Sequence, residues 1–343
     1  MILAQRTANL NTELIHQYLC SCQQKDGAIP WFENGKLDPW DHTEAAMAFS
    51  ILGDQQRALL AFNWLKDNQN RDGSWQANYY TPNCETPNNI ETNFVAYPAT
   101  GIWHHYLIFR DINVLKHYFP MVERAIEFVL ALQHREGDIL WAVSSHEQLP
   151  KDALVTACSS ILRSLECAIK IAIELGLEKT NWQIAYKKLA DALLNKPWRF
   201  DRTWESKARY SMDWFYPILA GIFSQEEASL RLEKRWHEFV EESLGCRCVN
   251  DEPWVTVAES CELIIACLAA GQENSAKELF KYLAQWQDED GGYWTGYSFR
   301  DKVIWPKEKT SWTAAAVILA ADALYQFSPA ARLFTTSSAF LGD

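Results

Sequence analysis

Two stretches decide the fold: Asn68–Trp75, NQNRDGSW, and Gln287–Trp294, QDEDGGYW. Each holds a Gln, three residues, a Gly, and an aromatic soon after. The same spacing occurs at Gln23…Gly27 with Trp31, and at Gln133…Gly137 with Trp141. Each copy follows a run of helical periodicity. The local reading is a helix C-cap, in which Gly takes the left-handed conformation that other residues resist. One such turn carries no information, because Asp-Gly is common in turns. Four at equivalent places indicate internal repetition.

Working outward, apolar spacing predicts twelve helices, over about 8–24, 41–53, 55–69, 91–110, 113–134, 152–175, 181–195, 211–223, 225–243, 255–270, 273–287 and 311–327. Alternating β-branched runs are scarce. The connections alternate in length. Those after the even helices are short, such as Gly53-Asp54 and Gly271-Gln272. Those after the odd helices are long and hold most of the loop Trp, Pro and Gly. Short turns make antiparallel neighbours, so the chain reads as six helical hairpins. Packed in a ring, they bring every long connection to one face, where the even helices begin. The expected fold is all-α, an (α/α)6 toroid filling residues 1–343 as a single domain.

At these residues the chain resembles the α/α-toroid superfamily. NQNRDGSW and QDEDGGYW, the latter followed by Thr310–Leu324 (TSWTAAAVILAADAL), are similar to the Gln-Trp repeats of squalene cyclases and protein prenyltransferase β subunits. Glu91–Leu132 resembles instead the six-hairpin glycosidases, in which a barrel helix carries a Tyr and a polar tail, then a short turn and an outer helix. The resemblance covers nearly the whole chain as architecture. It implies either a carbohydrate-active enzyme or an isoprenoid enzyme, because a fold hosts many chemistries. The chain lacks the Asp-x-Asp-Asp acid of class II terpenoid cyclases and an Asp-rich magnesium-diphosphate motif. Cys246 and Cys248 are one residue apart and no His follows His237, which is a poor zinc pattern. No metal or other cofactor is expected.

Composition narrows the partners. The 343 residues are 48% hydrophobic and 22% charged, enough for a sizeable core. Forty-four acids against 32 bases give a net charge of −12, a field that repels phosphate backbones and disfavours nucleic acid. Nine Cys, an odd number, sit partly in apolar helical runs and read as small hydrophobes rather than a disulfide framework. No signal peptide and no apolar run long enough for a membrane span is apparent, so the expected location is cytoplasmic and no membrane insertion is expected. The Trp content stands out: sixteen, many beside Gly, Pro or Asp. Core packing alone would not place them there, and loop Trp suits stacking on sugar rings.

The even helices open on polar residues. The catalytic candidates are Asp213 and Glu259, one turn inside two inner helices, then Asp41, Glu44 and Glu91. Each has a plain structural reading, since acids favour helix N-termini and Asp41 with Glu44 fits a capping box. As a set converging on one mouth they suit glycoside hydrolysis, in which one carboxylic acid protonates the leaving oxygen and a second carboxylate activates water or attacks the sugar. The substrate-binding candidates are Trp31, Trp40, Trp75, Tyr97, Trp214, Tyr216, Trp254 and Trp294 as apolar floor. His42, Arg209 and Arg247 could orient a carboxylate or bind an anionic sugar, with Asp251 reaching in from a loop. Salt bridging is the competing reading for the basic groups. The leading expectation is a hydrolase, or related lyase or epimerase, on a small-molecule or oligosaccharide substrate. Alternatives are a terpenoid cyclase-like or prenyltransferase-like enzyme and a non-catalytic glycan- or protein-binding toroid.

Overall fold

The computed structural model describes residues 10–79, 89–144 and 148–338. Among them the helices form two concentric rings. The outer ring is α1 (Thr12–Cys22), α3 (Gln55–Asp67), α6 (Ile112–Ala131), α8 (Thr180–Asn195), α10 (Gln225–Phe239) and α12 (Glu273–Tyr282). The inner ring is α2 (Pro39–Ile51), α4 with α5 (Thr92–Ala96 and Pro98–Phe109), α7 (Val155–Glu174), α9 (Ser211–Leu219), α11 (Val257–Ala269) and α13 (Ser311–Tyr325). Each inner helix packs on its two neighbours, and α13 packs on both α11 and α2, which closes the circle. Sequence explains the sorting. In α2 every residue except Asp41 is buried, whereas α10 buries only Ala228, Leu232 and Phe239. A helix apolar all round belongs inside and an amphipathic one outside.

The repeated glycines lock the outer ring. Gly27, Gly73, Gly137 and Gly291 have φ of 96°, 96°, 108° and 90°. A Cβ on them would lie 2.2 Å from the Leu60 carbonyl oxygen, 2.3 Å from that of Arg124, 2.0 Å from that of Lys188 and 2.3 Å from that of Leu14. Each turn therefore presses backbone to backbone on the next outer helix, which only Gly permits. The paired Gln clamps the same contact. Gln69 Nε2 donates to Gly73 O and Met121 O, both at 2.9 Å, and Gln133 Nε2 donates to Gly137 O and Ala185 O. The copy at Gly291 meets α1, so the last hairpin docks on the first. The C-cap reading needs adjusting: α1 ends at Gln23, and the glycine sits four residues on, in the following turn.

Three further differences from the expected elements have local causes. The fourth predicted helix breaks at Tyr97, because Pro98 lacks the N–H that would continue it. The predicted 225–243 helix stops at Phe239, where the chain enters a small antiparallel sheet: β3 (Val240–Glu241), β4 (Gly245–Arg247), β5 (Trp254–Thr256), β6 (Gly296–Ser298) and β7 (Val303–Ile304). Its strands are too short for alternation to register. A further pair joins β1 (Asn89–Glu91) to β2 (Ala142–Ser144).

The end of the barrel away from the long loops is plugged by the C-terminal segment. Arg163 on α7 is buried at this closed end. It donates to Leu219 O and Thr336 O and pairs with Glu166 at 2.7 Å. No helix among the described residues is long and apolar enough to cross a membrane. The eight Cys among the described residues are free thiols, and Cys84 lies outside them.

Candidate active site

The first turns of the inner helices share the open end, as the alternation of connections predicts. Capping does not account for the acids found there. The N-cap of α2 is Asp38, whose Oδ1 accepts from Asp41 N at 2.9 Å, with Pro39 at the first helical position. The expected Asp41–Glu44 capping box is therefore absent, and Asp41 is a first-turn acid whose side chain meets that of Asp38. Glu91 precedes α4, and Asp213 and Glu259 lie in the first turns of α9 and α11; none of them makes a capping hydrogen bond. Thr310 caps α13.

Residues three apart share a helix face, so the acids form two storeys. The lower storey is Glu44 on α2, Tyr97 after α4, Tyr216 on α9 and Glu262 on α11, all buried. Glu44 Oε1 accepts from Trp40 Nε1 at 2.9 Å and from Tyr97 OH at 3.0 Å. Tyr216 OH donates to Glu262 Oε1 in a very short bond. Trp40 stacks on Tyr97, centroids 4.6 Å apart, and leans on Tyr216. Burial holds both carboxyls above their ordinary range, and for Glu262 the neighbouring Glu44 and Glu259 add to it. Beneath lies a cavity of about 40 Å³, bordered by Ser159, Ser160, Arg163 and Phe334. Its volume is that of about three waters, too small for a pyranose ring.

The upper storey is the mouth. Desolvation, then the charge of Asp38, raises Asp41 well above the ordinary carboxylate range. The same two causes lift Glu91 to about 7, opposed by Lys36. Trp31 Nε1 donates to Asp38 Oδ2 at 3.0 Å, Lys36 Nζ sits 3.7 Å over the Trp31 ring, and Trp312 lies beside it. The Trp312 Nε1 is buried without a hydrogen-bond partner among the described residues. On α11, Glu259 faces Cys248 and Glu262. α13, bearing Trp312, stands between α2 and α11, so Asp41 and Glu259 flank it. Asp213 is set aside from both. Burial and then Asp201 raise it to about 6, and its other charged neighbours are Arg231 and Arg235 of α10. Its Oδ1 is buried and unpartnered.

Several residues expected at the mouth are interior. Trp75 is fully buried and donates to Leu65 O; it folds under its loop as a core filler. Trp214 is buried, donates to Arg231 O and stacks on Phe239. His42 lies between Ile29 N and Ala61 O, and burial lowers it to about 4, so it is a neutral core histidine. Trp294 lines a different recess, beside Tyr18 and Lys309. Arg209 pairs with Asp251 on the rim, and Arg247 pairs with Glu241 over the Phe299 ring. These pairs favour salt bridging over anion binding. Trp254 is partly exposed on β5. Asp38, Glu262, Lys36 and Trp312 were missing from the expected set. Asp38-Pro39 is a readable cap-and-first-turn signal, and Glu262 follows Glu259 by three; Lys36 and Trp312 leave no such mark. Away from the mouth, His16, Cys20 and Asp54 place one donor atom each within 4.8 Å of one another. Arg57 stands 3.6 Å from the same Asp54 oxygen that binds His16, so the group is an ion-paired cluster.

No family model matches the chain. It is 42% identical over 318 residues to a Mycolicibacterium hassiacum protein described as MMP endo-(1,4)-3-O-methyl-alpha-D-mannosidase, covering 93% of this chain and 87% of that one. Among solved structures, a glycosidase variant in complex with glucose superposes with a TM-score of 0.71 at 13% identity, covering 92% of this chain and 96% of the other. The GH63 mannosylglycerate hydrolase from Thermus thermophilus, in complex with Tris and D-glycerate, gives 0.68 at 14% identity, covering 90% and 98%. At such identities these likenesses establish the fold, an α/α toroid. The isoprenoid alternative is overturned: the sequence relative is a mannosidase, and carboxyls and tyrosine hydroxyls floor the mouth instead of an apolar funnel.

Proposed function

The chain belongs to the family of the Mycolicibacterium endo-mannosidase and is a glycoside hydrolase-like enzyme, and on that premise we propose that it hydrolyses internal α-(1,4) linkages of a 3-O-methylated mannosyl chain. The observation that carries the chemistry is the pair of first-turn acids, Asp41 and Glu259, on the two helices that flank α13 at the mouth. Asp41 is a first-turn acid whose lost water and facing Asp38 charge raise it well above the ordinary carboxylate range. Glu259 is a first-turn carboxylate on the other side of α13. The raised Asp41 suits the acid role, and Glu259, across α13, is the second carboxylate that this chemistry requires.

Asp41 donates its proton to the glycosidic oxygen as the C1–O bond breaks. Glu259 takes a proton from the water that adds to C1, and the new hydroxyl completes the hydrolysis. Glu91, protonated near neutrality, donates to a sugar hydroxyl, as does the unpartnered Trp312 Nε1. Trp31 and Trp312 supply the apolar wall. The hydrogen-bonded lower storey keeps the floor rigid. The resemblance to six-hairpin glycosidases favours inversion at C1.

The test is steady-state hydrolysis of such an oligosaccharide by the wild type, Asp41→Asn, Glu259→Gln and Asp213→Asn, with the product anomer read by NMR. The first two substitutions should lower kcat by about 10²–10⁴, and Asp213→Asn by far less. Loss confined to Asp213→Asn would transfer the acid role to Asp213, whose raised pKa and free Oδ1 suit it next best.

A further inference from the structure

The rim on the α11 side carries an aromatic ledge that the bond-breaking chemistry does not use. β5 runs directly into α11, so Trp254 stands five residues before Glu259. At ~3.3 Å per strand residue and ~1.5 Å per helix residue it lies roughly 11 Å further out, beyond the reach of a ring at the reacting carbon. Its indole is pinned. Nε1 donates to Trp305 O at 2.7 Å, and the two Trp rings meet edge to face with centroids 5.2 Å apart. A Cβ on Gly296 would fall 2.5 Å from that Nε1 and 3.0 Å from Cε2, so the ring rests on bare backbone that Gly alone provides. Trp305 is 56% exposed and is not part of the core. With the Trp254 N–H already satisfied, what this pre-set surface offers is apolar ring area.

We propose that Trp254 and Trp305 form a distal subsite that stacks on a pyranose ring of the chain several units from the bond cleaved, and so select extended, O-methylated chains over short glycosides. This rests on the hydrolase reading above. Three features point to a sugar chain as the occupant. The ledge is continuous, through β5, with the helix that carries Glu259. A fixed aromatic face binds with little ordering cost. A methoxy group adds apolar surface where a free hydroxyl would have to give up water.

The test compares kcat/KM of the wild type, Trp305→Ala and Trp305→Phe on a 3-O-methylated α-(1,4)-mannosyl octasaccharide and on the matching disaccharide. Trp305→Ala should lose about tenfold on the octasaccharide and nothing on the disaccharide, and Trp305→Phe should recover most of the loss. Equal loss on both substrates, or on neither, overturns the subsite while leaving the hydrolase intact. A wild type that neither cleaves nor binds the octasaccharide overturns the hydrolase reading itself. A Trp305→Ala protein that turns from dimer to monomer with unchanged kinetics would make the ledge a self-association surface instead.

Discussion

Replacing Glu91 by Gln should make the protein more stable at alkaline pH and less active. Desolvation and the Asp38 charge lift the Glu91 carboxyl from 4.5 to about 7 in the folded chain. Because the folded pKa is the raised one, the folded state binds more protons than the unfolded state between these values, and stability falls as pH rises through that window. Each tenfold change in proton affinity is worth about 1.4 kcal/mol, so ionised Glu91 costs about 3 kcal/mol once pH exceeds about 7. Partial solvent access makes this an upper figure. At about 2.1 cal/mol/K per residue the chain unfolds with an entropy of about 0.7 kcal/mol/K, and Gln should raise Tm by up to about 4 °C at pH 8.5. The gain should shrink toward zero as pH falls to 5. Differential scanning calorimetry of both proteins across that range reads the difference directly. A Tm difference that does not vary with pH, or one that grows as pH falls, would refute the reasoning. A gain in stability together with a fall in kcat/KM identifies a buried acid kept for function at a cost in stability.

Other expectations concern fold and site separately. Gly137→Ala, with φ 108° and a Cβ 2.0 Å from Lys188 O, should destabilise by about 3 kcal/mol in urea unfolding. Gly53→Ala, at φ 81° with nothing within 4 Å, should cost about 1 kcal/mol. Trp75→Ala should cost about 3–5 kcal/mol while leaving KM unchanged in whatever fraction stays folded, since Trp75 is core. Asp38→Asn should move the alkaline limb of the pH–rate profile downward, because it removes a charge that keeps Asp41 and Glu91 protonated.

The ring was legible in the sequence because its grammar is local. Gln and Gly four apart mark four places where a turn meets the next outer helix, and a glycine forced by a backbone oxygen at about 2 Å leaves a trace that periodicity cannot hide. The break at Tyr97 was legible in principle from Pro98, but the strong apolar pattern on both sides masked it. The small sheet was not legible, since strands of two or three residues show no alternation. The site was half legible. Counting polar residues at inner-helix starts finds the acids, but cannot tell a loop Trp that folds inward, such as Trp75, from one that stays on the rim, such as Trp254. That distinction depends on whether the indole N–H meets a carbonyl inside the barrel, a long-range fact. The pairing of Asp213 with Glu259 came from helix position alone. Helix position does not reveal the charged neighbours of Asp213, which are Asp201, Arg231 and Arg235, nor that Asp38 frees Asp41 from capping.

The central claim is that this chain breaks a glycosidic bond with water, using Asp41 and Glu259. Its most direct test is mass spectrometry of a 3-O-methylated α-(1,4)-mannosyl oligosaccharide incubated with the protein in ¹⁸O-labelled water. The account predicts shortened chains carrying one ¹⁸O at each new reducing end, produced by the wild type and nearly absent with Asp41→Asn or Glu259→Gln. Intact oligosaccharide after incubation with the wild type, or undiminished labelled cleavage by both variants, would contradict it.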